Sequence, residues 1–200
     1  MPHCTDLTGL AGIASLMAAL LLQLPHVRRL PKRFLAMLAA ATFAASLIPI
    51  AGMPLAGYVR GMVGDLSFTT VVLAWAAILQ PHCATMEGKH RQHLLMLVAA
   101  TALIFYPMTL GMSLVDPYRL GYGNPVFVAV VLIVASAAWL LRHTPIALCL
   151  SLATLAWSLG WYESANLWDY LIDPLVAIYA LGGLLRQGMN KSCACRPSNR

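Results

Sequence analysis

Three short stretches concentrate the side chains that could do chemistry. Residues 57–67 carry Tyr58, Arg60 and Asp65, residues 116–125 carry Asp116, Tyr118, Arg119 and Tyr122, and residues 161–174 read WYESANLWDYLIDP. Acids that approach closely cannot all stay ionised at low cost, so one of Asp173, Asp65, Asp169 or Glu163 could serve as a general acid or base, or as a proton carrier. Arg60 and Arg119 offer planar forks for a phosphate or carboxylate. Asn166, Tyr170 and Tyr118 are candidate substrate-binding groups, since Tyr and Trp suit a sugar or an acyl chain. On a helix, Asn166, Tyr170 and Asp173 share one face at spacings of four and three. Asp173 would then lie about two turns inside a spanning helix, where a charge is costly and is usually paired or functional.

The same residues have plainer readings. Trp and Tyr gather at membrane interfaces in any such protein. Asp followed by Pro, at Asp116-Pro117 and Asp173-Pro174, is also an ordinary helix start. On that view Asp116 is a cap, Asp6 a solvated charge, and Asp65 and Asp173 form structural ion pairs with Arg60 or Arg119.

The elements that must position these residues follow from composition. The chain is 60% hydrophobic and 10% charged, where a soluble domain carries about 25% charged residues; its mean hydropathy is +0.75. Apolar stretches near the length needed to cross hydrocarbon as helix recur at about 7–24, 34–53, 59–79, 94–112, 125–141, 145–161 and 165–185. The expected fold is therefore all-α: a polytopic helical membrane protein of about seven spans. It forms a single domain over 1–189 with a polar, disordered tail over 190–200. The first stretch has no Lys or Arg before it and a basic cluster after it, which argues for a spanning helix instead of a secretory signal. Pro49 and Pro107 are expected to kink helices two and four.

Orientation comes from the distribution of Lys and Arg in short loops. With the N-terminus outside and the C-terminus cytoplasmic, eleven of the thirteen Lys and Arg fall inside, leaving Arg60 and Arg119 outside. Six of the seven acids fall outside, and only Glu87 lies inside. The net charge of +6 then reads as a cytoplasmic anchor for anionic headgroups, with no nucleic acid needed to explain it. Short loops and this bias point to a bacterial cytoplasmic membrane.

A second constellation lies on the inner side: His82-Cys83, His90, His93 and the tail pair Cys193 and Cys195. These are ligand types for zinc or copper(I), but the spacing lacks a second Cys pair. No metal site or cofactor is assigned. Five cysteines, with only Cys4 outside, exclude a disulfide framework on this topology. Cys149 reads as a packing residue. There is no Gly-rich phosphate loop, nucleophile elbow or His-Glu-x-x-His, and Ser67, Ser113 and Ser164 have no His near them in their loops. The leading expectation is a small non-enzymatic membrane component of envelope or lipid-related processes, with the bilayer and another membrane protein as partners. The alternatives are a membrane enzyme working by acid/base chemistry on a lipid-linked substrate at the outer leaflet, and a carrier of protons, metal ions or small solutes.

Overall fold

The fold is all-α. The computed structural model describes residues 3–79 and 88–194, and among these are nine α-helices: α1 (His3–Leu22), α2 (Lys32–Leu47), α3 (Leu55–Val63), α4 (Phe68–Leu79), α5 (Gly88–Pro107), α6 (Pro125–Leu140), α7 (Thr144–Ser158), α8 (Leu167–Leu171) and α9 (Pro174–Ala194). A two-stranded ribbon, Pro49–Ile50 with Met53–Pro54, joins α2 to α3. A wide π-turn over Met108–Met112 ends α5, and a 3-10 turn over Pro117–Gly121 precedes α6.

Helix α1 packs on α2, α3 and α4, while α5 packs on α9 and α6 on α7. The two groups meet through α4, which contacts α7, α8 and α9. Small residues let the helices approach closely: Ala14, Ala18, Ala153 and Ala180 are all but fully buried. At one end of the bundle, the start of α1 gathers with residues 60–67, 116–124 and 161–173, through contacts such as Thr8 Oγ1 to the Trp161 carbonyl at 2.7 Å. We call this the acid end.

Two stretches expected as continuous helices are broken. Over 59–79, α3 stops at Gly64, whose φ of 82° is a conformation suited to glycine, and α4 begins only at Phe68. Over 165–185, α8 stops at Leu171 and Ile172 is extended (φ −146°, ψ 140°). Pro174 lacks an N–H and disfavours helix in the residue before it, so α9 starts afresh there. Pro49 likewise ends α2 at Leu47 instead of kinking it, with Ile48 extended before the proline. Helix α9 runs through Ala194, into the stretch expected as tail, and residues 195–200 lie outside the described residues. By length and composition, one described helix, His90–Met112, is long and apolar enough to cross a membrane. Four shorter apolar helices accompany it: Asp6–Leu22, Phe68–Leu79, Pro125–Leu140 and Thr144–Ser158.

Candidate functional site

The breaks in the helices build the acid end. Each new helix start exposes backbone N–H groups that need an acceptor, and polar side chains of the loops supply it. Ser67 Oγ accepts from Thr70 N at the head of α4 (3.2 Å). Asp116 accepts from Tyr118 N (3.0 Å), Asn124 from Val126 N (2.9 Å) and Asn166 from Trp168 N (3.0 Å). Asp173 Oδ1 accepts from Val176 N (2.7 Å).

Asp173 does more than cap. Its Oδ2 also accepts from Ser67 N (2.7 Å) and from Thr70 Oγ1 (2.6 Å), so one carboxylate ties the start of α9 to the start of α4. It is 6% exposed. It is thus a helix cap with three donors, not a charge two turns inside a helix. Asp65 is held by Arg60, with Nε to Oδ1 at 2.6 Å and Nη2 to Oδ2 at 3.1 Å. The same guanidinium reaches Asp6 through Nη1 at 2.9 Å. Gly9 of α1 permits this triad, because a Cβ there would lie 2.5 Å from Asp65 Oδ1.

Asp169 has a different setting. Tyr118 donates to it (3.0 Å to Oδ2) and so does Ser164. Both donors are side-chain hydroxyls on loops, and both line the same cavity as the carboxylate. Burial, and then the neighbouring Asp169 charge, raise the Tyr118 phenol well above its ordinary pKa, so it remains a donor at any physiological pH. Tyr162 is raised in the same way, first by burial and then by Asp65.

The cavity at this end encloses about 540 Å³, within the usual range of small-molecule sites. Four acids line it: Asp65, Asp116, Asp169 and Asp173. Hydroxyls of Tyr106, Thr109, Tyr118, Tyr162 and Ser164 add to them, and Phe105, Ile172 and Pro174 complete the wall. No Lys or Arg is among the lining residues. Such a lining accepts hydrogen bonds and favours positive charge, and it repels an anion.

Of the residues singled out from sequence, Asp65, Asp169, Asp173 and Tyr118 meet here. Glu163 and Arg119 are exposed and lie outside the lining. Arg60 is spent on Asp65 and Asp6. Asn166 and Tyr170 are fully buried and serve the loop itself. Asn166 Nδ2 donates to the Tyr118 carbonyl (2.9 Å), and Tyr170 Oη accepts from Tyr162 N (2.9 Å). The hydroxyls of Ser164, Tyr162, Tyr106 and Thr109 escape a search for charge. Only the one-turn spacing of Tyr106 and Thr109 could have flagged a polar end on α5.

At the opposite end, His143 meets both histidines of α5. Its Nδ1 lies 3.3 Å from that of His90, and its ring stands edge-on to His93 at 4.7 Å. Among the described residues no group of three or more His, Cys, Asp or Glu is arranged to hold a metal ion. His82, Cys83 and Cys195 lie outside the described residues, and so does the side chain of Cys193.

No protein-family model, curated protein or solved structure matches this chain.

Proposed function

We propose that this is a polytopic protein of a bacterial cytoplasmic membrane, and that its acid-lined cavity binds the polar head of a lipid or lipid-linked molecule at the outer leaflet. The head is uncharged or cationic and donates hydrogen bonds, as an amine or a sugar does. The protein acts as a binding component in envelope or lipid-related processes. The observation that carries this reading is the cavity of about 540 Å³ with four acids and no basic residue in its lining. An anionic head clamped by Arg60 and Arg119 is disfavoured, because neither reaches that lining.

Membrane residence is supported by the helix surfaces. Leu103, Ile104, Ile133, Trp139, Leu140 and Ile178 are each more than 60% exposed, far more apolar surface than a water-soluble bundle leaves open. Only 33% of the most apolar stretch of His90–Met112 is buried, unlike the core helix of a soluble protein. Seven spans would be α1, α2, α4, α5, α6, α7 and α9, with α3 and the inward-packed α8 as short helices at the acid end. The gathering of the N-terminal turn with residues 60–67, 116–124 and 161–173 agrees with an N-outside arrangement, and so does the Lys and Arg distribution.

The oxygens of Asp173 and Asp65 are occupied by structural donors, which favours binding over acid/base chemistry. A catalytic reading would rest on Asp169, whose two hydroxyl donors can turn away toward a substrate. Impermeant maleimide applied to intact spheroplasts should label Ser164→Cys when the native cysteines are replaced. Native mass spectrometry of protein extracted from its own membranes should find a bound lipid with an amine or sugar head. No labelling from outside, or a carried lipid that is anionic, would overturn the proposal.

A further inference from the structure

Beneath the acid-lined cavity lies a second cavity of about 240 Å³, bounded by α5, α6 and α7 and roofed by α8. Leu97 and Thr101 line it from α5, Val130 and Val134 from α6, and Cys149 from α7. Apart from the thiol, Thr69 and Thr101 hydroxyls and the edge of Trp168, its walls are hydrocarbon. Helices α5 and α6 each pack on α7, yet barely touch one another. The gap between them therefore faces sideways, toward whatever surrounds the bundle, and its rim residue Val130 is 49% exposed.

The shape is that of a slot parallel to the helices. Its lining runs from Leu94 to Thr101 on α5 and from Phe127 to Val134 on α6, roughly 10 Å at the helical rise per residue.

The two cavities share a wall. Ile172, the extended residue between α8 and α9, lines both. Phe105 lines the upper one, Phe127 the lower, and Trp168 is stacked between them with ring centroids 4.4 and 4.6 Å apart. A polar chamber above, an apolar slot below and a lateral opening along the helices match an amphiphile standing upright in a leaflet. We infer that the α5–α6 slot holds the hydrocarbon chain of the ligand whose head occupies the acid-lined cavity. This rests on the cavity reading above; it adds where the chain lies and that it enters sideways between α5 and α6, with Ile172 and Trp168 parting where head joins chain.

The test uses the full-length protein in nanodiscs with a glucosyl diacylglycerol carrying a diazirine midway along one acyl chain. Photolysis followed by peptide mass spectrometry should place adducts on Leu97, Thr101, Val130 or Val134. Val130→Phe and Val134→Phe, both on the rim at 49% and 40% exposure where folding tolerates bulk, should each remove these adducts to background while head-dependent lipid retention survives. Asp169→Asn should also remove them. Adducts confined to outward residues such as Leu103 and Ile133, with retention intact, would overturn the slot assignment and spare the cavity reading. Slot adducts indifferent to Asp169→Asn would overturn the link between head and chain, and the fault would then lie with the cavity reading.

Discussion

Asp173 and Asp169 are four residues apart and line one cavity, yet they belong to different kinds of region. Around Asp173, three donors converge, two of them backbone N–H groups at the starts of helices. Around Asp169, the donors are the hydroxyls of Tyr118 and Ser164, which can rotate or be replaced by a ligand. The first carboxylate fastens α4 to α9, and the second presents an acceptor. The type and depth of an acid thus say less about its role than whether its partners are free to leave.

The contrast breaks most visibly if Asp173 is removed. Asp173→Ala should cost on the order of 3–5 kcal/mol, because three buried donors lose their acceptor. A thermal-unfolding midpoint in detergent reads this directly, and near wild-type stability would place Asp173 outside the scaffold. Gly9→Ala should come next, at about 1–3 kcal/mol, since the added methyl displaces the Arg60–Asp65 pair. That loss should shrink when the same change is made in an Arg60→Ala background, where Asp65 is free to swing aside.

Tyr118→Phe should cost about 1.5–3 kcal/mol at most, the loss of one hydrogen bond to a charged group. Its pH dependence sharpens the contrast further. The folded phenol is raised above the ordinary tyrosine value, so its stabilising bond is fully present below that value and fades only as pH climbs through the raised one. The difference between wild type and Tyr118→Phe should therefore stay flat from pH 6 to 9. A difference that falls within this window would contradict the raised pKa. Smallest of all, Glu163→Gln should leave both unfolding and lipid retention unchanged, because Glu163 is exposed outside the cavity.

Charge segregation makes the acid end legible in the amino-acid sequence, because Asp65, Asp169, Asp173 and Tyr118 all sit in stretches whose position a hydropathy pattern can place. The all-α class is legible for the same reason. The helix breaks are not. A run of apolar residues averages across Gly64 and Ile172, and only local backbone chemistry, glycine at positive φ and the residues before Pro174, stops the helix there. The roles of Asn166 and Tyr170 are lost with those breaks, since a face shared on a continuous helix disappears when residue 166 caps one helix and residue 173 the next. The cavity hydroxyls are hidden because an uncharged Ser or Tyr carries no signal of its own until its neighbours across the fold are known.

The most direct measurement is lipid retention by Asp169→Asn beside its unfolding midpoint, using protein extracted from native membranes and weighed intact. The account predicts a midpoint lowered far less than in Asp173→Ala and a bound amine- or sugar-headed lipid that is lost. A variant that keeps its lipid at wild-type occupancy would contradict it.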